Sequence, residues 1–314
     1  MRRPLLAVTL LGVMIGASPG AARAQRLYGA IGRGSTANPG GLVIVDQTNG
    51  TETLLPVIPP RNPGNTGLAF GLDGTLWDTI ITGNVFGGAP VSALGQRDPT
   101  TGALIGTPVP VRFGGQGIAI TDLAVQPGTG TLFGTNIVVS PTAPPVSKLY
   151  TIDPLSGAAS LVGTFFVPGG PAFPIGAQAI AFAPDGTLYL TELVIDPTTG
   201  MPVDARLDIV NPATAAILTR GAPLGIGEDG LGGLAVRFDG AIFASSGPEG
   251  NIYRVDLTSA TLLGTLGQNA GVGGPGDLAF APVPEPATLL LLAAGLVPIA
   301  WTRRARRSGR HGRL

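Results

Sequence analysis

The sequence predicts an all-β protein: a β-propeller of five four-stranded blades, with the last blade closed by both chain ends. Three observations predict it. A small apolar strand recurs five times, at Gly67-Leu68-Ala69-Phe70, Asp122-Leu123-Ala124-Val125, Ala179-Ile180-Ala181-Phe182, Gly233-Leu234-Ala235-Val236 and Asp277-Leu278-Ala279-Phe280. An aromatic residue recurs at one place in the strand that follows, at Trp77, Phe133, Tyr189 and Phe243. The two ends of the body are complementary fragments of one such unit.

Each element has its own signal. First and second strands are joined by Asp73-Gly74, Gly128-Thr129-Gly130, Asp185-Gly186 and Asp239-Gly240. Asp-Gly between apolar runs marks a hairpin, because Gly takes positive φ cheaply. Third strands end in an Asp or Asn turn: Leu149 to Asp153, Leu207 to Asn211, Ile252 to Asp256 and, more loosely, Leu94 to Asp98. Pro follows in Asp98-Pro99 and Asp153-Pro154, where its fixed φ suits a type I turn. Fourth strands are Ala103-Leu104-Ile105, Ser160-Leu161-Val162, Ala216-Ile217-Leu218 and Thr261-Leu262-Leu263.

The body begins in the middle of a unit. Leu27-Tyr28-Gly29 matches a second strand with Tyr28 in the aromatic place, Leu42 to Asp46 a third, and Glu52 to Leu55 a fourth. The segment Asp277 to Ala281 is a first strand with nothing after it. A closed propeller shares its last blade between the termini in this way, whereas an open solenoid needs capping units. No stretch of helical period competes between Gln25 and Pro282. The layout is similar to NHL- and YVTN-type propellers in general, but no family motif matches, so the likeness implies no function.

Composition excludes several chemistries. Gly (50) and Pro (30) are abundant, yet hydrophobic residues reach 44% and charged residues only 12%, the reverse of a disordered chain. The charges are segregated: the body carries ten basic against eighteen acidic residues, so its charge does not favour nucleic acid or anionic lipid. There is no cysteine, and the single histidine, His311, lies in the tail. A Ser-His-Asp triad, His-ligated metal and thiol chemistry are therefore absent from the body. The sole lysine is Lys148. Gly225 to Gly230 fits G-x-G-x-x-G by letter but precedes a strand, not a helix, so it is no dinucleotide fingerprint.

Both ends read as targeting segments. Arg2 and Arg3 open a positive region, Leu5 to Ala17 is apolar, and Ala22-Arg23-Ala24 is a small-x-small site for signal peptidase, giving a mature start at Gln25. The predicted division is a signal peptide over 1–24, the propeller over 25–282 and a sorting segment over 283–314. That last segment reads Pro284-Glu285-Pro286, an apolar run over 287–301, and an arginine-rich tail over 303–314 that includes Arg303, Arg304, Arg306 and Arg307. As a helix the run spans about 22 Å against a hydrocarbon core of about 30 Å, a short span suited to temporary anchoring. The arginines would hold its end in the cytoplasm.

This ordered composite closely resembles the PEP-CTERM sorting signal. The resemblance implies processing by an exosortase, in Gram-negative bacteria that make extracellular polysaccharide. It implies an exported protein of the cell envelope or extracellular space, transiently anchored in the inner membrane. The expected role is a structural or polysaccharide-interaction module without catalytic residues or a cofactor, with exopolysaccharide or surface proteins as partners and no nucleic acid. The stretches Thr82 to Pro90, Val139 to Pro145 and Val194 to Asp204 are its expected contact loops. The alternative is a Ca²⁺-assisted hydrolase or lyase acting on sugars or lactones. Asp78, Asp122, Glu192 and Asp277 are its metal candidates at the propeller funnel, with Asn65, Asn136 and Gln178 as neutral partners. Against that reading, Asp122 and Asp277 suit strand-edge positions bonding backbone N–H groups, and Asp78, Glu192 and Asn136 suit loops in water.

Overall fold

The computed structural model describes residues 25–282 apart from 33–37, 59–64, 83–90, 141–142, 171–174, 228–229, 247–249 and 266–274. The signal segment, the sorting segment with its expected helix, and most of the expected loop from Thr82 to Pro90 lie outside the described residues. All helix-free, the described chain forms β1 (Leu27–Ile31), β2 (Leu42–Val45) and β3 (Glu52–Leu54), then β4 (Asn65–Phe70), β5 (Leu76–Thr82), β6 (Val91–Arg97) and β7 (Leu104–Pro110). A small hairpin, β8 (Arg112–Phe113) with β9 (Gln116–Gly117), follows. Next come β10 (Asp122–Val125), β11 (Leu132–Ser140), β12 (Ala143–Ile152) and β13 (Ala159–Thr164), then β14 (Ala177–Phe182), β15 (Leu188–Ile195), β16 (Pro202–Val210) and β17 (Ile217–Thr219). The last are β18 (Gly233–Val236), β19 (Ile242–Ser246), β20 (Asn251–Val255), β21 (Ala260–Thr265) and β22 (Pro275–Phe280).

These strands make five four-stranded antiparallel sheets in a propeller ring. Blade I is β22-β1-β2-β3, blade II β4 to β7, blade III β10 to β13, blade IV β14 to β17 and blade V β18 to β21. Blade I is closed by both ends of the body: Leu27 pairs with Phe280 and Gly29 with Leu278. The ring thus hides the strand edges that an open sheet would expose.

One apolar cluster fills each of the five blade interfaces. Leu68 and Leu76 meet Tyr28, Leu42 and Ala279 between blades I and II. Leu94 meets Leu123 and Ile152 between II and III. Phe133 and Leu149 meet Leu188 and Val210 between III and IV. Leu207 meets Tyr253 and Val255 between IV and V, and Phe243 meets Val43 and Leu278 between V and I. The recurring aromatic now has its reason. Each one packs on the last residue of the next blade's first strand, edge to face for Tyr28 on Phe70 (5.3 Å), Phe133 on Phe182 (5.3 Å) and Phe243 on Phe280 (5.5 Å). Trp77 with Val125 and Tyr189 with Val236 occupy the same place in the other two interfaces.

Antiparallel order gives the ring two unlike faces. The turns between first and second strands and between third and fourth strands share one face, here the base. There Asp73, Asp185 and Asp256 each accept the backbone N–H two residues on, at 3.0, 2.9 and 2.7 Å. Gly74, Gly186 and Gly240 supply the positive φ, 85°, 88° and 84°. The base also holds the first and last described segments: the Ala281 N–H donates to the Arg26 carbonyl, and the Gln25 side chain donates to the Ala281 carbonyl and accepts from the Phe238 N–H.

The opposite, upper face carries the second-to-third connections. Two of the stretches expected to be contact loops there are in part strand, which extends the hairpins at both ends of each stretch. β11 and β12 pair as far as Ser140 and Ala143, and β15 and β16 as far as Ile195 and Pro202. Pro202 is tolerated because it is the first residue of its strand.

Candidate functional site

The first strands of all five blades line the axis, and each turns an unpaired edge toward it. Three residues before the end of each first strand stands Asp277, Gly67, Asp122, Ala179 or Gly233, going round the ring. The axis has room for only two side chains at this level. A Cβ on Gly67 would meet the Asp122 carbonyl carbon at 2.9 Å, and one on Gly233 would meet the Asp277 Cα at 2.6 Å. So the two aspartates alternate with residues that have little or no side chain.

Both carboxyls are fully buried, and they share the backbone donors of the whole ring. Asp122 accepts from its own neighbour, the Leu123 N–H (2.6 Å), and from the Ile180 N–H of the next blade (2.5 Å). Asp277 accepts from the Leu278 N–H (2.6 Å), from the Leu68 N–H and from the Leu234 N–H. One N–H from every blade is thereby satisfied by two side chains, where an uncapped buried donor would cost about 1–3 kcal/mol. The two carboxyls are close enough to influence each other's charge. Burial, then the charge of Asp277, raises Asp122 well above the carboxylate range, and burial lifts Asp277 to about 7. The pair therefore holds a proton at neutral pH. Beneath it, toward the base, lies a small cavity of about 120 Å³ lined by the five first strands and Gln25.

The other two metal candidates are not at the funnel. They were expected in watery loops or near the axis, and they are buried between blades. Asp78 faces blade I and is paired with the equally buried Arg97 (2.6 Å), whose guanidinium also donates to the Gly102 carbonyl (2.9 Å) and the Gly40 carbonyl of blade I. Burial raises the Asp78 carboxyl, and Arg97 opposes the rise. Glu192 faces blade III and receives Arg220 as a fork (2.5 and 3.2 Å), with Arg206 at 3.8 Å. Asp208 stands beside it, accepts the Gly221 N–H (3.0 Å), and is pushed up to about 8 by burial and then by Glu192. The physical reason is periodicity. Asp78 and Glu192 lie on the face of the second strand that looks at the preceding blade, alongside Leu76 and Leu190.

Asn136 is likewise buried and not in water, and Gln178 accepts the Leu231 N–H (2.8 Å). Asn65 heads β4; its side chain lies outside the described residues. Among the described residues no three of His, Cys, Asp and Glu converge as a metal-holding group. The axial oxygens are ringed by N–H donors, surroundings that suit an anion and not a cation. Sequence reasoning missed Arg97, Arg206, Arg220 and Asp208. Arg97 carried a signal, since an arginine two residues after the Leu94-Gly95 pair stands where other blades have a buried apolar residue.

The sorting segment begins two residues beyond β22. Residues 282–307 match the PEP-CTERM protein-sorting motif. This motif implies an exported, envelope-associated protein processed by an exosortase-type enzyme. No curated protein matches the chain. Among solved structures, a protein of unknown function from Bacteroides caccae is 10% identical with a TM-score of 0.46, over 82% of this chain and 99% of that one. The periplasmic gluconolactonase of Pseudomonas aeruginosa is 15% identical with a TM-score of 0.40, over 77% and 67%. A glucose dehydrogenase is 14% identical with a TM-score of 0.42, over 74% and 82%. Similarity at this level transfers no activity to the present chain.

Proposed function

We propose that the chain is an envelope protein whose propeller is a binding and structural module, delivered by its signal peptide, cut before Gln25, and held in the inner membrane by the 287–301 run until the PEP-CTERM motif is processed. One observation carries this reading: a sorting motif is joined directly to the closing strand of a folded ring. The chemistry of the body supports it. Asp122 and Asp277 serve backbone N–H groups, and Asp78 and Glu192 serve arginines, so the four carboxylates expected at the funnel already have structural partners. The ligand side is the upper face, where the β11–β12 and β15–β16 hairpins extend; exopolysaccharide is the ligand class we assign to it.

The test has two arms. In an exosortase-bearing host, wild-type protein should lose its arginine tail by mass spectrometry, and Glu285→Ala should accumulate as full-length precursor. An intact tail on the wild type would overturn the sorting arm. The purified chain should retain acidic or neutral exopolysaccharide of that host on a glycan array, and no retention would overturn the ligand arm.

A further inference from the structure

Both ends of the propeller leave from the base. Ala281 and Arg26 are hydrogen-bonded there, and Gln25 is locked between Ala281 and Phe238. The sorting motif starts at residue 282, two residues after the last residue of β22. The apolar run starts at Ala287, seven residues after Phe280, and seven extended residues reach about 25 Å. A tether that leaves from the base and reaches no further than this keeps the base, and not the upper face, nearest the membrane segment.

The base has a second feature. Leu72, Leu155 and Phe238 sit at the tips of its turns and are 58%, 83% and 51% exposed. Leu72 belongs to the first turn of blade II, Leu155 to the last turn of blade III, and Phe238 to the first turn of blade V. Single exposed apolar residues are ordinary on any surface. These three share the face from which the membrane segment departs. The upper face carries its own exposed side chain, Met201 at 60%, on the β15–β16 hairpin.

We propose that the base is the membrane-apposed face of the anchored protein, with Leu72, Leu155 and Phe238 entering the interfacial zone of the bilayer. Short apolar side chains gain by leaving water at the headgroup–acyl boundary. The tether holds them at high local concentration, so little intrinsic affinity is needed. Charge does not draw this face down: its turns are acidic, and Asp73, Asp185 and Asp256 are held below the usual carboxylate range by the N–H and hydroxyl groups of their own turns. Apposition therefore ends when the sorting enzyme removes the tether. The upper hairpins point away from the membrane, toward the space where an envelope ligand would be met.

This inference rests on the anchoring proposed above, and the experiment separates the two. The chain has no cysteine, so single cysteines report position cleanly. Full-length Leu155→Cys and Met201→Cys are produced in a host without exosortase, converted to spheroplasts and treated with a membrane-impermeant maleimide. Leu155→Cys should label several-fold more slowly than Met201→Cys, and detergent solubilisation should erase the difference. Adding Leu72→Ser and Phe238→Ser to Leu155→Cys should speed its labelling in spheroplasts. Protein found in the membrane fraction with equal labelling of both sites overturns the orientation and leaves the anchoring intact. Protein absent from the membrane fraction overturns both.

Discussion

At the axis, Asp122 and Asp277 are met by backbone N–H groups; in the interface of blades III and IV, Glu192 is met by two guanidinium groups. The burial is alike, and the consequence differs. Neutral donors stabilise a carboxylate only in part, so the axial pair keeps a proton between its two members. A guanidinium brings a full countercharge, so Glu192 works as one end of an ion pair. The lesson is that the same residue type closes the ring in one place and fastens a single joint in another. Loss of the first should be felt by all five blades, and loss of the second by two.

The largest effect should come from the closing strand. Deleting Asp277 to Ala281 removes the β1–β22 pairing and the acceptor for donors of blades I, II and V. The truncated chain should lose its cooperative thermal transition, read by circular dichroism. A transition like that of the full chain would mean that blades hold together without closure. Asp277→Ala keeps the strand and removes only the acceptor. It should melt well below wild type, since each buried donor left unpaired costs about 1–3 kcal/mol.

Next in size is Arg97. Arg97→Met leaves Asp78 buried without its partner, and breaking a buried pair by one member costs about 3–5 kcal/mol. The double variant Arg97→Met with Asp78→Leu should recover most of that loss, because no uncompensated charge remains. Equal destabilisation in single and double variants would show that packing, and not charge, dominates this joint. The Arg97 bonds to Gly102 and Gly40 predict some residual cost in the double variant.

The pH dependence follows from the buried carboxyls. Glu52 and Asp208 are lifted to about 8 and Asp277 to about 7, Glu52 by burial alone. Each folded-state value lies above the unfolded one, so the folded state binds the extra proton. Their stabilisation is complete below about pH 4 and is lost as pH rises toward 8, by about 1.4 kcal/mol per pH unit for each retained proton at most. Asp239 and Asp256 shift the other way, to about 2, and their contribution is lost below about pH 4. Denaturant midpoints should therefore peak near pH 4–5 and fall toward pH 8. Asp208→Asn should flatten the alkaline fall. A curve rising steadily through neutrality would contradict the protonated axial pair.

The ring itself was legible in the sequence because its signals are local and recurrent. Tyr28, Trp77, Phe133, Tyr189 and Phe243 hold one slot, and the complementary fragments at Leu27 and Asp277 announce closure. The edge role of Asp122 and Asp277 was legible too, since each opens the recurring four-residue apolar segment of a first strand. Their meeting across the axis was not, because it depends on Gly67 and Gly233 leaving space in the blades beside them, a relation among residues far apart in sequence. The positions of Asp78 and Glu192 were misjudged for a different reason. Polar residues in a second strand read as strand ends facing water, and only the third strand and its successor show the arginines that make burial affordable. The extended hairpins were hidden by their prolines, which read as loop.

The smallest expected effect sharpens the comparison at its peripheral end. Arg220 is the outermost member of the Glu192 cluster, with its side chain 37% exposed. Solvent screens such a pair, and truncating it typically costs about 0.2–1 kcal/mol. Arg206 stays within 3.8 Å of Glu192 and keeps it from being left as a lone charge. Arg220→Ala should therefore lower the denaturant midpoint slightly, and the loss should shrink as salt is raised, because the Debye length contracts from about 10 Å at 0.1 M to about 3 Å at 1 M. Arg97→Met, fully buried, should show no such salt dependence. Two arginines facing two carboxylates in two blade joints would then behave differently only because one is wet. If Arg220→Ala costs as much as Arg97→Met and ignores salt, the interface of blades III and IV is dry at its rim, and the distinction between a wet and a dry arginine joint loses its physical basis.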